Sequence, residues 1–457
     1  MAALPPLPPL PPTATDALLR AALSDRVVGV LVGSALGDTI GLYTEFLSAA
    51  NALETYPSRS FTLAPPAGPT PYKFDLHRAS KPPAHWTDDT DHALLLLLAF
   101  LHTASAPPPS SENPLPTQTA LAVRLRIWAQ EGLRPLDTMP LGLGRLVGTV
   151  LATKDFDKEP ARIAREHWEK TGKRMAPNGS LMRTHPLGLM CLWRSEEEAF
   201  ALAADMSRVT HADPRCVAAC VIGTGLVRGI ARGEVASEAE LDALVGRARE
   251  WTVAGAGEEL DEEELGRHAT SGSLEALKLD ESTSIGYVYK ALGSGLLLLR
   301  LAMRRLGKCE GSLLVRSKVF EELITDLIMC GGDADTNACF AGALLGGYLG
   351  YGALPDNWKH GLKHEEWFLG KAEALCQVLG LKDGKYDGQE DKDTHLDSGK
   401  GHISQDEMEG RWMVLQADVG KRMEEHAKAN ATKVGKGKPW EGWASSLPWH
   451  SKDKTKK

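Results

Sequence analysis

Trp86-Thr87-Asp88-Asp89-Thr90-Asp91-His92-Ala93-Leu94-Leu95-Leu96-Leu97-Leu98-Ala99-Phe100-Leu101 decides how this 457-residue chain folds. From Ala93 to Leu101 every residue is apolar. A helix built from it has no polar face and belongs at the centre of a bundle. The residues before it are of the opposite kind. Thr87, Asp88 and Asp89 crowd oxygen atoms at the first turn, where a single such side chain suffices as a cap. Adjacent aspartates repel one another, so the surplus calls for a cation.

The same pattern recurs far along the chain. Gly331-Gly332-Asp333-Ala334-Asp335-Thr336-Asn337 runs into another apolar, glycine-rich stretch, Ala338 to Gly350. Two acidic helix starts of this kind point to one shared site. Oxygen-only ligands suit hard cations, Mg2+ or Mn2+, rather than zinc or copper. Four ionised aspartates, Asp88, Asp89, Asp333 and Asp335, balance two divalent ions, whereas a lone ion leaves the site negative. Thr87 and Thr336 can serve as neutral ligands. Paired metals orient a substrate and activate water, which is chemistry suited to hydrolysis.

Outward from these two stretches, apolar residues return at three- and four-residue intervals, and alternating β-runs are absent. Helices are predicted over 24–37, 88–104, 119–132, 146–154, 158–171, 179–192, 196–208, 214–232, 236–251, 284–305, 312–329 and 336–350. The expected fold is all-α: a single multi-helix domain over 24–380 with a central dimetal cleft. Before it, 1–23 reads as a flexible Pro-rich leader, because the prolines in the run from Leu4 to Pro12 supply no amide donor. After it, polar 381–401 reads as a linker, and 402–457 as an amphipathic helix (Ile403 to Ala429) with a lysine-rich tail carrying Trp440, Trp443 and Trp449. Stretches 65–83, 106–116 and 255–273 read as surface loops.

Composition narrows the function. A hydrophobic fraction of 43% and a charged fraction of 25% are those of a folding globular chain. A net charge of −8 without a long basic stretch in the core argues against nucleic acid as a partner. Seven scattered cysteines fit reduced, buried thiols. No run of roughly 18 apolar residues suggests a membrane span, and residues 1–12 lack the features of a signal peptide. The expectation is an intracellular protein, cytoplasmic or nuclear, with no membrane partner.

Three further motifs carry chemistry. Gly33-Ser34-Ala35-Leu36-Gly37-Asp38-Thr39-Ile40-Gly41 leads to a loop bearing Glu45, and its glycines admit close approach by a ligand or by other backbone. Asn178-Gly179-Ser180-Leu181-Met182-Arg183 is a polar turn opening the predicted helix 179–192, where free amides can bind phosphate. His211 lies in a turn between helices, in Thr210-His211-Ala212-Asp213.

In this order the motifs resemble those of the ADP-ribosylglycohydrolase family. Gly37 to Gly41 through Glu45-Phe46 is similar to its opening motif, and Trp86 to Thr90 to its first metal motif. Asn178 to Arg183 and Thr210-His211 resemble its nucleotide-side motifs, and Gly332 to Thr336 its second metal motif. Ile285 to Leu299 resembles its penultimate helix. The match covers roughly 25–380 and leaves 65–83, 255–283 and 381–457 outside.

The resemblance implies an all-α fold, two divalent cations, and hydrolysis at the anomeric carbon of ADP-ribose. The partner would be an ADP-ribosylated protein or a small ADP-ribose conjugate. Thr87, Asp88, Asp89, Asp333, Asp335 and Thr336 would hold metal. Asp38, Asn178, Gly179, Ser180, Met182 and His211 would form the substrate site, and Glu45 would be the catalytic acid/base. Asp91-His92 departs from the expected pair after Thr90, which leaves the linkage open. Two other readings stand beside this one: a non-catalytic ADP-ribose-binding or structural relative, and a dimetal phosphoesterase.

Overall fold

The computed structural model describes residues 12–104, 114–256, 260–307 and 313–433. Its architecture starts from glycine spacing. Gly29, Gly33, Gly37 and Gly41 recur every fourth residue along α1 (Pro12–Gly41), and so fall in one row on its surface. Gly342 and Gly346 do the same on α15 (Ala334–Leu349). The two helices run antiparallel with these rows in contact, backbone against backbone. A Cβ at Gly37 would stand 1.9 Å from the Ala338 carbonyl oxygen, and one at Gly346 would stand 1.9 Å from that of Gly29. The row ends at Gly41, where a Cβ would meet Asp335 Cα at 2.3 Å.

The other helices are α2 (Ala49–Thr55), α3 (Leu76–Ala79), α4 (Asp88–Thr103), α5 (Gln118–Glu131), α6 (Arg145–Leu151), α7 (Pro160–Lys170), α8 (His185–Met190) and α9 (Glu196–Arg208). They continue with α10 (Pro214–Arg232), α11 (Glu238–Ala256), α12 (Glu262–Ala269), α13 (Val288–Leu306), α14 (Leu313–Ile328), α16 (Asp356–Lys359), α17 (Glu365–Val378) and α18 (Gln405–Lys433). Among the described residues there are no strands, only three isolated bridges. α15 is the axis, buried at every position except Tyr348. Its Phe340 ring fills the space left by Gly295 of α13 and Gly223 of α10. α4 is buried from Asp89 to Leu101, as its unbroken apolar run predicts.

Several expectations are corrected. Residues 12–23, assigned to the leader, form the first turns of α1, because Pro12 is tolerated at a helix start and Ala14 to Leu23 is rich in helix formers. The rest of the proline run lies outside the described residues, as do the three C-terminal tryptophans and Cys309. The helix predicted over 179–192 starts only at His185; before it, Leu181 and Met182 donate their amides to the Asn178 carbonyl in a turn. Within the stretch read as a loop, α12 forms behind Asp261, which accepts from Glu264 N at 2.9 Å.

The segment 381–401 is not a loose linker. Gly388 N donates to Ala104 O at 2.9 Å, Arg124 Nη2 to Thr394 O at 2.6 Å, and Trp367 Nε1 to Asp393 at 2.8 Å. Lys371, itself buried, pairs with Asp391 at 2.6 Å. The polar residues there serve contacts with the core. α10 also passes a length-and-hydropathy test for a membrane span, but 89% of that window is buried inside the fold.

The seam yields a paired test. Gly37→Ala places a methyl against rigid backbone and should destabilise the protein by about 3 kcal/mol or more. Gly246→Ala in α11 meets nothing within 4 Å and should stabilise by roughly 0.5 kcal/mol. Denaturant unfolding of the two variants measures both.

Candidate metal centre

The seam fixes where the acidic residues meet. Asp38, one residue past Gly37, is fully buried against the start of α4. Its carboxylate accepts from Thr87 N at 3.0 Å, from Thr90 N at 3.0 Å and from Thr90 Oγ1 at 2.6 Å. It was expected among the substrate contacts; its oxygens are instead occupied in anchoring the first acidic motif. Thr87 is the N-cap of α4, accepting from Asp89 N at 3.3 Å. That leaves the side chains of Asp88 and Asp89 without a capping duty.

The second acidic start is built differently. Asp333 precedes α15 but makes no side-chain cap, so the expectation of two matching caps holds only for α4. The Asp333 carboxylate receives Asn178 Nδ2 at 2.9 Å, which joins the Asn178 turn directly to the acidic cluster. Glu45, Asp333 and Asp335 bring carboxylate oxygens within 4.8 Å of one another. Thr336 lies near enough to both Asp89 and Asp333 to favour their ionised forms, and so stands between the two motifs.

Six carboxylates therefore share one buried region: Asp38, Glu45, Asp88, Asp89, Asp333 and Asp335. Burial pushes the Asp88, Asp89 and Asp335 carboxyls well above the ordinary range, and their acidic neighbours push them further. Burial likewise raises Asp38 and Asp333, against the hydrogen bonds that each accepts. Lys81 offsets part of the charge at Asp88. Asp89 Oδ2 is buried with no hydrogen-bond partner among the described residues. An all-oxygen donor set, an orphaned carboxylate oxygen and mutual repulsion all fit hard divalent cations.

Glu45 differs from its neighbours. Burial alone raises its pKa, but the hydrogen bond and charge of His77, the charge of Lys81 and contact with Asp335 bring it below the ordinary value. His77 Nε2 lies 2.5 Å from Glu45 Oε2. Sequence reasoning missed His77, Arg78 and Lys81, which come from the 65–83 stretch read as a surface loop. The signal was present: three basic residues within five positions, just ahead of an acidic motif. Asp91 was also unassigned. It is buried beneath α4's first turn, accepts from Trp86 Nε1 at 2.8 Å and Trp128 Nε1 at 2.9 Å, and is pushed up to about 7 chiefly by burial.

The nucleotide-side residues separate into two groups. Gly179 lies flat against His211, its missing Cβ 3.2 Å from the ring. Thr210 Oγ1 accepts from Arg183 Nη2 at 2.7 Å and lies 2.7 Å from His211 Nδ1. His211 Nε2 is buried and has no partner among the described residues. Burial and the Arg183 charge keep the ring neutral. Ser180 and Met182 belong to the other group. The Ser180 hydroxyl is fully buried between Ser207 and Cys220, at 3.2 and 3.3 Å, and Met182 is buried as well.

The sequence model of the family described as ADP-ribosylglycohydrolase matches residues 19–385. The chain belongs to the ADP-ribosylglycohydrolase family. It is 26% identical over 362 residues to an uncharacterized protein of Archaeoglobus fulgidus, covering 78% of this chain and 97% of that one. It is 22% identical over 359 residues to the ADP-ribosylarginine hydrolase Tri1 of Serratia proteamaculans, covering 79% and 81%. It is also 22% identical over 374 residues to the ADP-ribosyl-[dinitrogen reductase] glycohydrolase of Rhodospirillum rubrum, covering 78% and 97%. A solved ADP-ribosylglycohydrolase-related protein complex shares the fold at TM-score 0.51 and 24% identity, covering 79% of this chain and 99% of that one.

The charge crowding has a measurable sign. A carboxyl whose pKa is raised on folding holds its proton more tightly in the folded chain, so its contribution to the stability of metal-free protein falls as pH rises above about 4. The buried, neutral His85, His92, His185 and His211 act in the opposite sense, so the crowding is read as a difference between two proteins. With a chelator, Asp335→Asn should raise the thermal midpoint by more at about pH 8 than at about pH 5, and Mg2+ or Mn2+ should remove that gain. A difference that does not grow with pH would contradict the crowding.

Proposed function

We propose that this protein is a metal-dependent hydrolase that cleaves the bond at the anomeric carbon of ADP-ribose, releasing it from a modified protein or a small conjugate. The observation that carries the reading is the Asn178–Asp333 hydrogen bond. It sets the turn of the nucleotide-side motif directly against the acidic centre, as required of a site that grips a nucleotide at one end and reacts at the other. Membership of the family supports the same class of reaction.

In this reading Thr87, Asp88, Asp89, Asp333, Asp335 and Thr336 hold two divalent cations, Mg2+ or Mn2+. When bound, such cations supply fixed positive charge for sugar hydroxyls and for the developing charge of an attacking water. Asn178, the backbone at Gly179 and Ser180, and Nε2 of the neutral His211 ring bind the nucleotide half, with Met182 in the wall behind them. Asp38 acts at one remove by holding Thr87 and Thr90. Glu45, kept ionised by His77 and Lys81, takes the proton of the attacking water and returns it to the departing group as that group's bond to the anomeric carbon breaks. Charge then develops at the anomeric carbon as in other glycoside hydrolysis.

The test is a panel of substrates carrying ADP-ribose on arginine, on serine, on a nucleic-acid end, as poly(ADP-ribose) and as O-acetyl-ADP-ribose, incubated with Mg2+ or Mn2+. At least one should release free ADP-ribose. Glu45→Gln should lower kcat by roughly 100-fold or more with metals still bound. Asp335→Ala should lose turnover, with only weak rescue by excess Mn2+. Release from none of them, with cations and ADP-ribose both bound, would make the protein a binding relative instead.

A further inference from the structure

Glu45 sits in a loop that its own segment holds only in part. Glu45 N bonds to Gly41 O at 3.1 Å, and Phe46 N reaches Gly332 O at 2.6 Å with Phe46 in left-handed backbone at φ 58°. The rest of the support comes from α3. Asp75 starts that helix by accepting from Arg78 N at 2.9 Å. Arg78 then spans both sides of the loop: Nε donates to Leu42 O at 2.9 Å, Nη2 donates to Glu45 O, and Nη1 pairs with Asp75. With the backbone clamped in this way, His77 reaches the side chain.

His77 Nε2 meets Glu45 Oε2 at 2.5 Å, and its ring packs edge-on against Phe46 with centroids 4.9 Å apart. The His77 side chain is 30% exposed and that of Glu45 is 8% exposed. The imidazole is thus the more exposed partner of the pair, while Glu45 also lies within reach of Asp333 and Asp335. A carboxylate turns freely about its last torsion unless both ends of the turn are distinguished. A donor at one oxygen distinguishes them, and so leaves one face of Glu45 turned to the acidic centre.

We propose that His77 is a positioning residue for Glu45, fixing the rotation of its carboxylate from α3, a helix contributed by the segment between the Glu45 loop and the first acidic motif. The inference rests on Glu45 handling the proton in hydrolysis. It assigns His77 no contact with substrate or metal.

Kinetics on the substrate found in the panel give the first test. His77→Ala should lower kcat about tenfold or more with KM within about twofold, at unchanged Mn2+ affinity. His77→Gln, which keeps an N–H donor, should recover most of the loss, and in a Glu45→Gln background His77→Ala should have little further effect. Unchanged kcat in His77→Ala, or an equal loss in both backgrounds, would overturn the proposal. A readout without turnover separates this outcome from failure of the hydrolase reading. The ring nitrogen resonances of His77, assigned by their loss in His77→Gln, should move in Glu45→Gln. If they do not move, the contact is not made, whatever the enzyme hydrolyses.

Discussion

The close approach of α1 and α15 is the constraint on which the rest depends. Four glycines on one helix and two on the other clear side chains from the line of contact, and the backbones meet directly. No helical pair with ordinary side chains comes this near, since helix axes are usually kept 8–10 Å apart by about one layer of side chains. Because the seam ends at Gly41 against Asp335, it also sets the separation of the two acidic motifs. Asp38 leaves α1 toward α4, Glu45 leaves the loop just beyond, and Asp335 leaves the start of α15. Packing and chemistry share one piece of geometry.

Such a site is expensive to fold without its cations. Five of the six carboxylates in this region carry raised pKa values, chiefly through burial, and the fold answers with few opposing charges, Lys81 and His77 among them. Much of the local hydrogen bonding serves to hold this arrangement against repulsion. Asp38 holds the start of α4, Asp91 ties that turn to two indoles, and Asn178 holds Asp333. A structure that accepts this strain is organised for ligand binding rather than for stability alone.

The parts legible in the sequence were those whose signal is local. An uninterrupted apolar run placed α4 in the core, and doubled aspartates marked both motifs. Family resemblance then ordered them into a site. What escaped depends on partners distant in the chain. The four-residue glycine spacing was visible, but Gly342 and Gly346 lie some 300 residues from their partners, and spacing alone does not say which surface they meet. Asp38 was placed in the substrate site by resemblance; only the amides of Thr87 and Thr90 reveal what its carboxylate accepts. His77, Arg78 and Lys81 sat in a stretch whose composition reads as loop. Residues 381–401 looked like a linker because polarity cannot distinguish solvated side chains from ones paired to Lys371 or Trp367.

The central claim is that two acidic helix starts, nearly 250 residues apart, form one dinuclear centre. Anomalous diffraction from crystals soaked in Mn2+ tests it most directly. The account predicts two peaks in one cavity, bounded by Asp88 and Asp89 on one side and Asp333 and Asp335 on the other. No peak there, or Mn2+ bound at one motif with the other turned away, would contradict it.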